Sequence, residues 1–225
     1  MLGAMVSILY AVTEQDIRNV LKDKGIAVAP EILQKASAQG LLSVVDPQAM
    51  VLSSNTIPLP SDLSPDIGSE ETWSEGIRYL QVTHLHHDDI SGLTGRLKAW
   101  FIPETRGLIL DLRGADGVSL GAADQLAALF VPGGTSLYEL RTFDERVLET
   151  RAVPGREPAP CRCPVMVLVD HNTVGTSEIL AAALKGKERV MLVGATTRGD
   201  WLVRETVSLP NGEFLYLATR RVAFA

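Results

Sequence analysis

Apolar residues recur at helical spacing early in the chain and gather into short unbroken runs later, and that change of pattern predicts the organisation. Thr13 precedes Glu14, Gln15 and Asp16, an N-cap followed by acids in a first turn. Ile17, Val20 and Leu21 then share one face, and Gly25 is the expected stop. Pro30 opens a second predicted helix with Ile32, Leu33 and Ala36 on one face and Gly40 as its end. Leu41 to Leu52 is apolar and broken at Asp46-Pro47. Ser53 to Glu75 carries Pro58, Pro60 and Pro65 among Ser, Asp and Glu with little periodicity, which reads as a connector.

From residue 76 onward strands and helices alternate. Ile77 to Leu85 alternates apolar and polar positions as a half-buried strand does, and Asp88 or Asp89 can cap a helix containing Ile90, Leu93, Leu97 and Trp100. Gly107–Leu112, Pro164–Val169 and Val190–Val193 are short apolar runs of the kind found in buried parallel strands. Helices are predicted at about 120–129 and 176–184, and Pro210-Asn211-Gly212 joins 202–209 to 214–219 as a hairpin. The predicted division is a helical segment over 1–52, a linker over 53–75 and an α/β core over 76–225.

Composition narrows the function classes. The chain has 225 residues, 46% hydrophobic, which is enough to bury a substantial core. A formal charge of −6, with no basic run, sets nucleic acid aside as a partner. No stretch reaches the ~18 apolar residues of a membrane span. Residues 1–11 are apolar with no Lys or Arg before them, compatible with a signal remnant, a vector-derived start or a segment packing on the body. Cys161 and Cys163 are too few for a disulfide framework or a tetrahedral metal site, and are read as small residues entering a strand. No cofactor is expected.

The run Gly107-Leu-Ile-Leu-Asp-Leu-Arg-Gly-Ala-Asp-Gly117 resembles the Asp-Leu-Arg-Gly-Asn-x-Gly-Gly strand end of the C-terminal processing (tail-specific) peptidases, the S41 serine peptidases. The likeness continues through Val167–Asp170, Thr176–Leu184, Arg189–Gly194, Thr197–Gly199 and Leu209–Gly212, and Val44-Val-Asp-Pro47 is similar to the family's early Leu-Asp-Pro element. The resemblance implies a crotonase- or ClpP-like ββα superhelix. It also implies a PDZ domain between the Leu-Asp-Pro element and the core, and residues 53–75 are too short to be one.

The family's chemistry uses a serine nucleophile at a helix start, a lysine base, and a glutamine four residues beyond that orients the lysine. By the resemblance these fall on Gly175, Asp200 and Arg204, so all three functional side chains are replaced. A neutral amine acts as base only when burial lowers its pKa, and Asp200 cannot stand in for it. The implied oxyanion pocket uses backbone N–H groups, here those of Gly114, Ala115, Asp116, Gly117 and Gly175, and such donors survive substitution. The expectation is therefore a non-proteolytic domain that binds a peptide or unfolded protein segment in a residual cleft. Restoring Ser, Lys and Gln at the three positions is expected to return cleavage.

Two alternatives stand beside it. One is an active hydrolase using Thr176 or Ser177 with His171 and Asp200, although Ser177, two positions on, points ~200° away from the lost nucleophile. The other is a structural module dimerising through the N-terminal helices. His84 and His86 project to one face of a strand and are weak metal candidates, with Asp88 or Asp89 as the nearest third ligand; the expected reading is a polar strand end without metal. Asp111 and Arg113 are expected to form a structural ion pair. Because the family is commonly exported, the resemblance implies a cell-envelope or secreted location.

Overall fold

A computed structural model of the protein describes residues 13–30, 38–53 and 67–224. The first helix, α1 (Glu14–Asp23), starts at the predicted cap. Thr13 Oγ1 accepts from the Asp16 N–H at 3.2 Å while the Asp16 carboxylate accepts from the Thr13 N–H at 2.9 Å. Ile17, Val20 and Leu21 form its buried face. The helix expected from Pro30 falls largely outside the described residues, and Gly40 does not end helical structure. Instead α2 (Ala38–Val45) runs through Gly40 and stops at Asp46-Pro47. Leu41 and Leu42 are each 1% exposed, and burying them outweighs the cost of about 1 kcal/mol for one helical glycine.

β1 (Met50–Leu52) follows. Part of the expected connector is a strand: β2 (Ile67–Thr72) pairs antiparallel with β3 (Ile77–Val82), Glu71 opposite Tyr79 and Thr72 opposite Arg78. Its Ser and Glu side chains are largely exposed, so no apolar alternation announced it. Then come β4 (His84–Leu85), α3 (Ser91–Ala99), β5 (Gly107–Asp111), β6 (Asp116–Gly117) and α4 (Leu120–Phe130). β7 (Ser136–Arg141) and β8 (Val147–Ala152) are an antiparallel pair that the apolar pattern did not predict, because β8 is mostly exposed. The chain closes with β9 (Val165–Val169), α5 (Thr176–Leu184), β10 (Val190–Gly194), β11 (Leu202–Ser208) and β12 (Phe214–Ala223). Among the described residues no helix is long and apolar enough to cross a membrane.

The elements group into two compact units that do not follow the chain linearly. The first holds described residues 13–30, 38–53, 142–146 and 203–221, so the closing hairpin joins the N-terminal helices. In it β12 pairs antiparallel with β1, Met50 opposite Tyr216, and also with β11. Ile17, Leu21, Leu41, Leu42, Leu215 and Leu217 form the centre of its core. Beneath them Asp46, fully buried, accepts from Arg204 Nε at 2.9 Å and Nη2 at 3.1 Å, from the Ala218 N–H at 2.9 Å and from the Gln48 N–H at 3.1 Å. Burial alone would push the Asp46 carboxyl up, but the Arg204 and backbone hydrogen bonds outweigh it and hold the group below the usual carboxylate range.

The second unit, with described residues 67–141, 147–202 and 222–224, is built on a sheet ordered β10-β9-β5-β3-β2. β3, β5, β9 and β10 are parallel, Leu110 opposite Val167 and Leu192 opposite Val167 across β9, while β2 closes one edge antiparallel. The intervening helices cover the sheet as parallel topology requires. α5 is buried almost all round, from Thr176 to Leu184, which marks it as an interior helix. Asp111, at the end of β5, pairs with Arg113 (Nη2 to Oδ2, 2.6 Å) and accepts from the Tyr79 hydroxyl at 2.7 Å, the structural arrangement expected for it.

Cys161 and Cys163 also belong to this unit, their sulfurs 3.6 Å apart. The hydrogen bond from Cys161 lowers the Cys163 thiol to about 7, while the same contact together with burial pushes Cys161 up. Cys163 is therefore expected to react with iodoacetamide half-maximally near pH 7, against about 8.5 for an ordinary thiol, with Cys161 unmodified. Peptide mapping by mass spectrometry across a pH series checks this; equal modification of both cysteines contradicts it.

Candidate functional site

In a parallel sheet the loops at the carboxyl ends of adjacent strands lie side by side, and β5 and β9 are adjacent. The turn after β5 (112–117) and the turn after β9 (170–175) are stitched together. The Gly114 N–H donates to Asp170 Oδ1 at 3.0 Å, Thr173 Oγ1 donates to the Leu112 carbonyl at 2.7 Å, and the Val174 N–H donates to the Ala115 carbonyl at 2.9 Å. The Gly114 N–H, with further backbone and Thr173 bonds, holds the Asp170 carboxyl below its ordinary value.

Gly175 is the N-cap of α5, at φ 60° and ψ −134°, a backbone conformation that L side chains rarely adopt. A Cβ built there would overlap the carbonyl oxygen of Gly117. Position 175, to which the resemblance assigns the nucleophile, therefore lacks both a side chain and the space for one.

Asp200, to which the resemblance assigns the base, is brought beside the first turn of the same helix. Glu178, 1% exposed, accepts from Thr197 Oγ1 at 2.5 Å, the Gly199 N–H at 2.5 Å and the Asp200 N–H at 3.1 Å, so its carboxylate ties the 197–200 loop to α5. Sequence reasoning missed this role. A glutamate buried in an otherwise apolar helix was the available signal, because a charge goes there only with several donors. Arg204, to which the resemblance assigns the orienting role, is engaged with Asp46 in the first unit.

The expected backbone donors are largely committed inside the fold. The Gly114 N–H serves Asp170, the Ala115 N–H donates to the Leu112 carbonyl at 3.0 Å, and the Asp116 N–H donates to the Thr83 carbonyl at 3.2 Å. Three of the five expected donors thus serve acceptors within the fold. The carbonyl of Gly117 faces Gly175.

The alternative nucleophiles are equally committed. Ser177 is fully buried and donates to the Asp116 carbonyl at 2.8 Å, and Thr176, 4% exposed, donates to the Leu85 carbonyl at 3.4 Å. His171 is exposed in the turn after β9, while the two hydroxyls donate to backbone carbonyls, so the hydrolase arrangement is not assembled among the described residues.

The histidine pair has a third neighbour that spacing did not identify. His84 Nδ1 lies 2.6 Å and His86 Nε2 3.0 Å from Asp116 Oδ1. Asp88 instead accepts from the Ser119 hydroxyl at the start of α4, and Asp89 accepts from the Ser91 N–H at 3.1 Å at the start of α3. The expectation of Asp88 or Asp89 as third partner is corrected: β6 pairs with β4 in parallel, His84 opposite Asp116, and only the folded sheet brings them together.

Beside α5 runs a groove of about 510 Å³, also within the second unit. Its apolar lining includes Ala181, Leu192, Val193, Trp201 and Phe224, with Lys185 among its residues. Trp201 and Phe224 pack edge to face, 5.1 Å between centroids. β10, which borders the groove, is an edge strand with Met191 and Val193 exposed.

The sequence model of peptidase family S41 matches residues 76–225. The carboxyl-terminal-processing protease of Synechocystis sp. is 37% identical over 106 residues, 47% of this chain and 24% of that protein. The carboxy-terminal processing protease of Bacillus subtilis is 26% identical over 151 residues, 67% of this chain and 32% of that protein. The chain thus spans about a quarter to a third of the length of these relatives. Among solved structures, a lipoprotein from Streptococcus agalactiae superposes with TM-score 0.69 at 19% identity, covering 95% of this chain and 87% of that one. A photosystem II D1 C-terminal processing protease superposes with TM-score 0.58 at 20% identity, covering 78% and 42%. These superpositions give the fold, an α/β core of the ClpP/crotonase-like kind. With the family match spanning residues 76–225, from just before β3 onward and two thirds of the chain, this protein belongs to peptidase family S41.

Proposed function

We propose that this chain is a non-proteolytic S41 domain that binds an apolar, C-terminal peptide segment in the groove beside α5. The carrying observation is the geometry at Gly175: a left-handed N-cap with no side chain, against which the Gly117 carbonyl is packed. Without an oxygen nucleophile or an amine base, the acyl transfer of the family has no starting step. In this reading residues 53–75 stand where the family carries a PDZ domain, so recognition falls to the core itself.

The exposed edge of β10 offers main-chain donors and acceptors to an added strand, and the groove accepts alternate side chains of that strand. Lys185 is exposed at the groove and supplies a cation for a terminal carboxylate. The relatives named as carboxyl-terminal-processing proteases support the choice of a chain end as ligand. Dimerisation through the N-terminal helices is the weaker reading, because α1 directs its apolar face into the core of its own unit.

Titration with a short peptide ending in apolar residues is expected to give a saturable change in Trp201 fluorescence, lost in Trp201→Phe. The C-terminal amide of the same peptide, or Lys185→Gln, is expected to bind about tenfold more weakly, the equivalent of about 1.4 kcal/mol. Mass spectrometry of the incubated peptide is expected to show no fragments. Absence of saturation defeats the binding reading, and fragments abolished by Thr176→Ala or Ser177→Ala defeat the non-proteolytic one.

A further inference from the structure

We propose that His84, His86 and Asp116 bind one divalent transition-metal ion of the zinc class. The three ligand atoms lie within 4.8 Å of one another, with the two imidazole nitrogens converging on one carboxylate oxygen at 2.6 and 3.0 Å. The imidazole rings sit side by side, 5.1 Å between centroids and tilted by 32°. This convergence has a backbone cause. Two histidines two residues apart on an extended segment share a face, and the parallel pairing of β4 with β6 sets Asp116 directly opposite His84.

Bonds of about 2.0–2.2 Å from a tetrahedral ion place its donors roughly 3–3.5 Å apart, so a small rotation of the two exposed side chains seats an ion among the three. Two imidazoles and one carboxylate form a nitrogen-rich set that suits Zn²⁺ or Co²⁺ and disfavours Ca²⁺ and Mg²⁺, which take oxygen ligands. The frame is rigid where it needs to be. Asp116 is held through its backbone by Thr83 and by the Ser177 hydroxyl, and the His86 side chain is only 4% exposed. His84 and Asp116 are 26% and 39% exposed, which leaves the outward coordination position to water. Hydrogen bonding alone does not account for the burial of His86, since its Nδ1 is buried with no partner. The site stands independently of the peptide reading, because none of its ligands occupies a substituted catalytic position.

The test is a titration of the full chain with Zn²⁺ in competition with a chromophoric chelator, with Co²⁺ absorption recorded in parallel. One equivalent is expected to bind, with Co²⁺ bands of nitrogen and oxygen ligands and no thiolate charge transfer. His84→Ala and Asp116→Ala are each expected to weaken binding at least about 100-fold, whereas His171→Ala and the Cys161→Ser, Cys163→Ser double variant leave it unchanged. Zn²⁺-dependent shifts of the His84 and His86 imidazole NMR signals in the unsubstituted protein decide the matter if either alanine variant fails to fold. No bound equivalent, binding retained in both ligand variants, or binding lost in the cysteine double variant overturns the proposal.

Discussion

Replacing Asp46 by alanine is expected to destabilise the protein by about 3–5 kcal/mol, the cost of removing one partner of a buried ion pair. Arg204, its side chain 11% exposed, loses the fully buried carboxylate that it meets at 2.9 Å. The Ala218 and Gln48 N–H groups lose their acceptor at the same time. Urea denaturation read by circular dichroism measures the loss, and a change under about 1 kcal/mol contradicts the account. The pH dependence has a definite sign. The folded Asp46 carboxyl lies below its unfolded value, so the folded chain binds fewer protons there. Its contribution is complete above the unfolded carboxylate pKa of about 3.9 and is lost as the pH falls through the lower folded value. The Asp46→Asn variant is expected to lose that part of the acid sensitivity. Arg204→Gln breaks the same pair from the other side, so restoring the family's glutamine is not a neutral change here.

Gly175→Ser is expected to lower stability by at least about 3 kcal/mol and to restore no peptidase activity. A non-glycine residue at φ 60°, ψ −134° costs on the order of 1–3 kcal/mol by itself. The added Cβ also drives into the Gly117 carbonyl, and the turn cannot yield cheaply because Gly114, Ala115 and Asp116 are all hydrogen-bonded within the fold. The combination Gly175→Ser, Asp200→Lys, Arg204→Gln, which the residue pattern alone suggests should restore cleavage, is thus expected to unfold or remain inert. Denaturation of the single variant and a cleavage assay of the triple variant check both halves. A Gly175→Ser protein of unchanged stability, or a triple variant that cuts unfolded substrates, shows that the turn opens.

Much of the core was readable in the residues. Gly107–Asp111, Val165–Val169 and Val190–Gly194 are apolar runs too short for helices, and each is a buried or edge strand of the parallel sheet. Thr176–Leu184 is a helix over the predicted span, because Ala and Leu dominate it and Gly175 breaks the chain just before. The strands β2 and β8 carry neither an apolar run nor half-buried alternation, because their side chains mostly face water. Gly40 misled for the opposite reason: its local cost is small beside the burial of Leu41 and Leu42.

The site divides along the same line. That Gly175, Asp200 and Arg204 stand at these positions is a fact of the sequence, and a lost nucleophile and base is what the family resemblance implies for them. Where the survivors point is not. The closure of the 112–117 turn on Gly175, the grip of Glu178 on the 197–200 loop and the meeting of Asp116 with two histidines each join residues far apart along the chain. Residue identity determined which side chains stand at positions 175, 200 and 204, because a missing atom is missing in every conformation. Tertiary structure decided what fills the space and which polar groups remain available, because hydrogen-bond partners are assigned only when strands from distant parts of the chain come into register.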